Sequence, residues 1–288
     1  MSSPLPIISG LSDLSGRYDA VLSDVWGVIH NGVAAFPEAV DALRRFRQDG
    51  GRVVLITNAP RPSQPIIDML DRLGVPRDTY DAIVSSGDAT RSMIAKYRGR
   101  AIHHVGPPTE DDLLYEGLDV RRTGADEAEV VVVTDLDHDD DTPEMYRSRA
   151  ELWLKRKLPM ICANPDRVVE HGNKIIYCGG ALGDLYAAMG GIVLMAGKPY
   201  QPIYEECFRL AEEAAGKPLQ KSRVLAVGDS VRTDATGAAQ FGVDLLFITG
   251  SIHAAELDAF GKPDPQTIAD LLAPSRAHVA GFLPRLSW

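Results

Sequence analysis

Cysteine is scarce in this chain, which has three cysteines, Cys162, Cys178 and Cys207, among its 288 residues. An odd count without CxxC spacing excludes a complete disulfide framework and a cysteine-rich zinc site. We therefore expect three free thiols, buried as small apolar side chains in a reducing compartment.

Long apolar runs are also missing. No stretch approaches the ~18 uninterrupted apolar residues that a membrane helix needs, and the first residues lack a basic start followed by an apolar run. We expect a protein that is neither exported nor membrane-spanning, and therefore cytoplasmic.

Positive charge is in deficit, since 30 lysines and arginines stand against 40 aspartates and glutamates, for a net charge of -10. Nucleic acids and anionic membranes bind clustered Lys and Arg, so neither is expected as a partner. An anionic substrate must therefore meet positive charge that is placed locally.

Strand-like and helix-like segments alternate in both halves of the chain. Helical patterns cover residues 38–47 and a segment opened by Gly197-Lys198-Pro199. Short, continuous apolar runs of the kind found in strands buried on both faces occupy residues 18–23, 52–56, 223–227 and 243–248. This alternation predicts an α/β fold with a doubly wound, Rossmann-like parallel sheet.

The middle of the chain has an α/β pattern of its own, with apolar runs at residues 130–133 and 160–163 and a helical stretch at 143–157 between them. We predict a core domain formed by residues 1–82 and 191–288, with an inserted α/β cap domain at 83–190. A cap placed there would lie above the carboxyl ends of the core strands and exclude water from them.

Polar residues follow three of the predicted core strands, namely Asp24, Thr57 and Asp229. A single polar residue in such a position ordinarily begins a solvated loop. Three of them at equivalent positions favour a site, because ligands of such sheets bind outside the carboxyl ends of the strands.

Four short motifs in a fixed order resemble the haloacid dehalogenase-like (HAD) hydrolase superfamily. The motifs are Asp24-Val25-Trp26-Gly27-Val28, Thr57-Asn58, Gly197-Lys198-Pro199, and Gly228-Asp229-Ser230 followed by Thr233-Asp234. The insertion between the second and third motifs, together with Asn164-Pro165-Asp166 inside it, is similar to the subclass with a large α/β cap, the NagD-like phosphatases.

The resemblance implies a phosphatase or related hydrolase in which Asp24 attacks phosphorus and forms an aspartyl-phosphate. Phosphoryl transfer needs an in-line nucleophile and positive charge around the phosphate oxygens, and Mg²⁺ suits a site with few carboxylates, a carbonyl and waters. The expected metal-site residues are Asp24, the backbone carbonyl of Trp26, Asp229, and Asp234, which orients a metal-bound water.

The phosphate is expected to meet Lys198, Thr57 and Asn58. Lysine supplies a point charge, reinforced by the positive end of its helix, and the threonine hydroxyl and nearby amides donate hydrogen bonds. The ordinary alternative for Lys198 is a solvated surface lysine.

Trp26 is a departure from the pattern of the superfamily, where most phosphatases carry a second aspartate that protonates the leaving oxygen. Loss of such a group commonly costs about 10²- to 10⁴-fold in rate. We therefore expect weak turnover of sugar phosphates and a preference for leaving groups of low pKa. Trp26 itself either packs between cap and core or shapes the pocket.

His30 lies in the same loop and is a candidate for contacting substrate, and its ordinary pKa suits the missing proton donor. The more frequent alternative is a loop histidine hydrogen-bonded to backbone. In the cap, Asn164 and Asp166 are candidates for contacting substrate, although residues around Pro165 are as frequently ordinary turn formers.

Other polar clusters of the cap are predicted to be structural. Residues 135–141 lack the glycine and the closing glutamate of a calcium loop, and a solvated acidic loop is expected there. His103 and His104 show no ligand spacing and are expected to pack.

The expected partner is a small phosphorylated metabolite, and a homodimer is left open. The alternative function is an impaired module that binds a phosphorylated metabolite, keeps the metal site and no longer turns over. A phosphoryl-accepting receiver domain conflicts with the cap and with the late acidic pair, and no GxGxxG follows the first strand as in dinucleotide-binding oxidoreductases.

Overall fold

A computed structural model of the chain describes residues 5–107, 111–171 and 174–288. Its strands are β1 (Ala20–Asp24), β2 (Arg52–Thr57), β3 (Ala82–Ser85), β4 (Ala101–Val105), β5 (Arg121–Arg122), β6 (Val130–Val133), β7 (Met160–Cys162), β8 (Val168–His171), β9 (Lys174–Tyr177), β10 (Val193–Met195), β11 (Val224–Gly228), β12 (Asp244–Ile248) and β13 (Val279–Leu283).

The α-helices are α1 (Ser12–Ser15), α2 (Pro37–Gln48), α3 (Ser63–Arg72), α4 (Ser86–Ile94), α5 (Asp112–Tyr115), α6 (Arg147–Lys155), α7 (Gly179–Ala188), α8 (Gln201–Ala215), α9 (Thr236–Phe241) and α10 (Pro265–Leu272). Shorter 3₁₀ turns lie at Arg77–Thr79, Ala95–Tyr97, Pro143–Tyr146, Lys221–Arg223 and Ala273–Ser275, and a π-helical turn lies at Val231–Ala235.

The larger sheet is parallel, and among the described residues its strand order is β13-β12-β11-β1-β2-β3. The register pairs Ser23 with Val227 and Asp24 with Ile56, so neighbouring strands end at the same level. The predicted doubly wound α/β core is confirmed.

Helices cover both faces of this sheet. On one face α2 buries Leu43 and Phe46, and on the other α8 buries Ile203 and Cys207. Burial of each large apolar side chain contributes about 1.5–3 kcal/mol, which fixes the sheet between its helices. Helix α8 ends at Ala215 and is capped by Gly216 in the left-handed conformation, which glycine adopts without strain.

The smaller sheet is also parallel, with the order β10-β7-β6-β4-β5 in the described part of the chain. Trp153 of α6 and Tyr186 of α7 are fully buried against it, and β8 and β9 form a separate antiparallel hairpin. Strand β10 pairs with β7, so this sheet continues past the predicted cap boundary at residue 190.

The carboxyl ends of the two sheets face each other. Asn58, which follows β2, donates a hydrogen bond from Nδ2 to Oδ1 of Asp166, which lies beyond β7, at 3.1 Å. A second link joins Arg232 to Asp184 of α7 at 2.9 Å. The smaller sheet is therefore placed against the edge where the polar residues of the larger sheet converge.

Two further expectations concern the cysteines and membranes. Cys162, Cys178 and Cys207 are free and buried, as predicted. Within the described ranges, no helix combines the length and apolar character needed to cross a bilayer.

Candidate active site

Three buried aspartates meet at the carboxyl edge of the larger sheet. Asp24 ends β1, Asp229 directly follows β11, and Asp234 lies in the π-helical turn. Because β1 and β11 are paired, their end residues are neighbours. One oxygen from each of the three carboxylates lies within 4.8 Å of the others, and the residues are 7%, 5% and 2% exposed.

Lys198 is the cation of this cluster. Its Nζ lies 2.7 Å from Oδ1 of Asp24 and 2.7 Å from Oδ1 of Asp234, and the residue is only 2% exposed. Burial alone would lower the pKa of Lys198, but the two carboxylates outweigh burial and raise it well above its usual value. The lysine is thus protonated, and the surface alternative is excluded.

The position of Lys198 corrects one expectation. Helix α8 begins at Gln201 with Tyr200 as its cap, so Lys198 lies in the turn before the helix rather than in its first residues. Its ammonium acts through direct contacts with the carboxylates.

Asn58 holds that turn from the other side. Its Oδ1 accepts the Lys198 backbone N–H at 2.7 Å, and its Nδ2 donates to the Lys198 carbonyl at 3.3 Å and to Asp166 at 3.1 Å. This geometry makes Asn58 a positioning residue for Lys198. Neighbouring Thr57 is 5% exposed and accepts the Ala59 N–H at 3.2 Å, which leaves its hydroxyl hydrogen available as a donor.

The cluster fits a divalent cation on the grounds of charge. Burial raises the pKa of Asp24 well above its usual value, and it raises that of Asp229 to about 7, with Asp234 adding to the effect. Three crowded carboxylates and one lysine leave an excess of negative charge when all are ionised. Oxygen ligands of this kind suit Mg²⁺, so Asp24, Asp229 and Asp234 are the described residues that would surround it.

Gly27 permits the close approach of Asp229 to the loop after β1. Its φ is +82°, and a Cβ at this position would lie 2.2 Å from Oδ2 of Asp229 and 2.5 Å from Oγ of Ser251. Only glycine combines this backbone conformation with the absence of a side chain.

Ser251 is a site residue that the sequence patterns above did not identify. Its side chain hydrogen-bonds Asp229 and thereby opposes the increase in the pKa of that carboxyl. Ser251 lies in the loop beyond Thr249 and Gly250 rather than directly after β12, so it does not occupy the strand-end position that Asp229 has after β11.

Trp26 lines a pocket and so supports the second of its two predicted roles. The pocket has a volume of about 160 Å³ and is bordered by Phe36, Phe260 and Arg285 among others. The Trp26 ring also contacts the imidazole of His30 edge-to-face, with ring centroids 5.0 Å apart.

His30 does not fit the role of replacement acid or substrate contact. The residue is fully buried, its Nδ1 accepts the Gly32 N–H at 2.8 Å, and burial lowers its pKa to about 4. A neutral, enclosed imidazole cannot protonate a leaving group near pH 7. The backbone-bonded alternative is therefore the correct one.

The two cap candidates differ from each other. Asn164 acts as a turn former, since its Oδ1 accepts the Asp166 N–H at 3.2 Å. Asp166 instead reaches Asn58 of the core, and burial raises the pKa of its carboxyl. Asp166 is thus the cap residue that the structure brings to the site.

The remaining polar groups of the cap are structural. His103 packs against Trp153, and His104 contacts Tyr115, with its Nδ1 2.7 Å from the tyrosine hydroxyl. The acidic stretch 135–141 is less solvated than expected, because Asp135 is largely buried and burial raises its pKa to about 7.

Comparison with known proteins gives matches in both halves of the chain. A family model described as haloacid dehalogenase-like hydrolase matches residues 21–117, and one described as HAD-hydrolase-like matches residues 195–275. Bovine chronophin is 26% identical over 92% of this chain and 95% of its own length.

Solved structures extend the comparison to the whole chain. A p-nitrophenyl phosphatase from Archaeoglobus fulgidus shares the fold with a TM-score of 0.65, at 22% identity over 89% of this chain and all of its own. A haloacid dehalogenase-like hydrolase from Brucella suis is 43% identical with a TM-score of 0.86, over 98% of this chain and 100% of its own. At that identity and coverage, with the aspartates and lysine assembled as described, the chain belongs to the haloacid dehalogenase-like hydrolase family and is an enzyme of the NagD-like type.

Proposed function

We propose that this enzyme is a Mg²⁺-dependent phosphatase that acts on small phosphorylated metabolites through an aspartyl-phosphate on Asp24. The observation that carries the proposal is the buried ammonium of Lys198 between Asp24 and Asp234, with Asp229 beside them. A carboxylate nucleophile next to a fixed cation suits attack on an anionic phosphate.

In the first step an oxygen of Asp24 forms a bond to phosphorus, and the ester oxygen leaves with its electron pair. Lys198 offsets charge on the phosphate oxygens, and the Thr57 hydroxyl donates a hydrogen bond to them. Bound Mg²⁺ would supply further positive charge, which lowers the repulsion between carboxylate and phosphate. Water then attacks the phosphoryl group, releasing phosphate and restoring the carboxylate.

The weak point of this site is proton transfer to the leaving oxygen. Trp26 has no acidic group, and His30 is neutral and enclosed. Esters whose leaving group is stable as an anion need this proton least. The p-nitrophenyl phosphatase that shares the fold is named for a substrate of this type, which supports a preference for aryl or acyl phosphates.

The identity of the metabolite, the cytoplasmic location and a homodimeric assembly remain predictions. We expect the substrate to lie where cap and core join, beside the hydrogen bond between Asn58 and Asp166.

A phosphate-release screen with Mg²⁺ and with chelator tests the proposal. We expect release from aryl and acyl phosphates that requires Mg²⁺ and falls by about a thousandfold or more in Asp24→Asn, because the nucleophile is lost. Asp139→Asn, an exposed cap aspartate, is the matched control and should keep wild-type rates. Full activity in Asp24→Asn would refute the mechanism, and saturable binding of the panel without release would indicate a binding module.

A further inference from the structure

A small pocket lies beside the carboxylate cluster and is used by none of the steps above. Its walls come from the loops after β1, β12 and β13, all at the carboxyl edge of the larger sheet. It has a volume of about 160 Å³, and its chief lining residues are Trp26, Asn31, Phe36, Ser251, Phe260 and Arg285.

Arg285 is the charged group of this pocket. Its guanidinium carbon lies 3.8 Å from the ring centroid of Phe36 and 5.4 Å from that of Phe260. Within the described ranges it makes no ion pair with a carboxylate. A planar guanidinium held against two rings keeps its N–H groups in a fixed arrangement that suits a carboxylate.

The pocket shares a wall with the proposed catalytic centre. Gly27 and Ser251 line it, and the same two residues lie against the Asp229 carboxylate, since a Cβ on Gly27 would contact both Oδ2 of Asp229 and Oγ of Ser251. Trp26, which also lines the pocket, is two residues from Asp24 along the chain. The pocket therefore borders the loop residues that surround the carboxylate cluster.

We propose that this space, the Arg285 pocket, receives the leaving group of the substrate and selects a flat group that carries a carboxylate. The inference rests on the proposed phosphatase function and adds a substrate class, phosphate esters with an acidic, ring-sized leaving group. A cavity of about 150 Å³ accommodates one benzene ring, so a pocket of about 160 Å³ suits a group of this size. The aromatic side chains match its faces, and Arg285 matches its charge.

The charge of the surroundings strengthens the selection. The neighbouring aspartates repel anions in general, so a carboxylate gains from entering only where the guanidinium is close. An uncharged group of the same shape keeps the ring contacts but leaves the arginine without its partner.

Two esters of the same shape provide the first test. We expect kcat/KM for 4-carboxyphenyl phosphate to exceed that for its uncharged analogue 4-carbamoylphenyl phosphate. Arg285→Met should lower this ratio about tenfold or more, as expected for the loss of a charged hydrogen bond. Arg285→Lys should retain part of the ratio, and Arg72→Met, an exposed arginine of α3, should leave it at the wild-type value.

Calorimetric titration with benzoate and benzamide tests the pocket without turnover. We expect benzoate to bind more tightly than benzamide, and Arg285→Met to remove this difference. This result would support the pocket even if no ester is hydrolysed. The absence of hydrolysis would then refute only the phosphatase function. If the enzyme hydrolyses both esters at equal kcat/KM and binds benzoate no more tightly than benzamide, the proposed selectivity of the Arg285 pocket is wrong. A third outcome is that benzoate binds more tightly than benzamide while Arg285→Met leaves the kcat/KM ratio of the two esters unchanged. The pocket would then bind a free anion, and its assignment to the leaving group would be wrong.

Discussion

Trp26 lines a pocket and carries no group that could protonate a leaving oxygen, which bears on the proposed mechanism. The cost of leaving-group departure therefore depends on the substrate itself. Across a series of aryl and alkyl phosphates, we expect kcat/KM to fall steeply as the pKa of the leaving group rises.

Trp26→Asp provides the corresponding gain of function. A carboxyl at this position should make kcat/KM depend less on the pKa of the leaving group. The increase in kcat/KM should be largest for alkyl esters and should lie within the range of about 10²- to 10⁴-fold that acid catalysis contributes. Trp26→Phe, which keeps an aromatic ring without an acid, should remain steep. A flat profile in the wild-type enzyme would show that another group supplies the proton.

Asp229 is predicted to make stability depend on pH. Burial raises its pKa in the folded state to about 7, against about 3.9 in an unfolded chain. The folded state thus holds this proton more tightly, so its contribution to stability is complete below pH ~4 and is lost as pH rises through about 7. Without metal, the stability of the wild type relative to Asp229→Asn should fall from pH 4 to 8.

The stabilisation of the folded state by Mg²⁺ should increase as pH rises, because Mg²⁺ binds the ionised carboxylate. We expect the increase in Tm produced by Mg²⁺ to be larger at pH 8 than at pH 6, and this difference to be smaller in Asp229→Asn, where Asp24 still titrates. Thermal unfolding with chelator and with Mg²⁺ measures both effects. An equal Mg²⁺ effect at the two pH values would argue against Asp229 as a ligand.

The loop between β1 and α2 depends on Gly27 at its start. Gly27→Ala would combine a strained left-handed φ with a Cβ 2.2 Å from Oδ2 of Asp229. We expect phosphate release to fall by about a hundredfold or more, since a displacement of about 1 Å in a catalytic group has effects of that size.

Gly50→Ala is the matched control, because Gly50 has a φ of +95° and a Cβ added there would have no atom within 4 Å. Gly50→Ala should have the same backbone strain as Gly27→Ala, which unfolding in denaturant measures as a loss of stability. Its phosphatase activity should stay at the wild-type level. Equal losses of activity in the two variants would show that the contact with Asp229 is unimportant.

Elements with a strong local pattern were predictable from the sequence. Strands β1, β2, β11 and β12 are continuous apolar runs because helices cover both faces of their sheet, and polar residues at their ends therefore identified Asp24, Thr57 and Asp229. Strand β10 is three residues long and only partly buried, so it carries no comparable signal.

The orientation of side chains was not predictable in the same way. The imidazole of His30 could in principle donate a proton. The packing of its loop keeps it neutral, because the loop encloses the ring and turns Nδ1 toward the Gly32 N–H. Arg285 lies far from every motif in the chain, and its pocket exists only once the loops after β1, β12 and β13 are brought together.

At the scale of the whole molecule, Asp166 connects the smaller sheet to the site through Asn58. Asn58 also holds the backbone of Lys198, so the cap is linked through Asn58 to the residue that we propose binds the phosphate. Removal of one partner of such a bond costs about 1–3 kcal/mol. In Asp166→Ala we expect kcat to fall about five- to a hundredfold, with KM changed less.

Asp184→Asn is the control for this prediction, because it weakens a different link between the sheets, an ion pair with Arg232 whose side chains are 37% and 33% exposed. Such pairs contribute about 0–1 kcal/mol, so kcat should stay within about fivefold of the wild type. Steady-state kinetics on one aryl phosphate compares the two variants. If kcat falls more in Asp184→Asn than in Asp166→Ala, the coupling between the sheets depends on the ion pair of Asp184 with Arg232.

The pairing of β1 with β11 determines when the enzyme first becomes competent during its synthesis. Ser23 and Val227, joined in the register of that pair, are about two hundred positions apart in the chain, and Asp24 and Asp229 follow them. A nascent polypeptide that has left the ribosome as far as the end of the smaller sheet already carries Asp24, the proposed nucleophile, but not Asp229 or Asp234. We therefore expect hydrolytic activity only after the segment that follows β11 has been synthesised, and we expect shorter translation products to be inert.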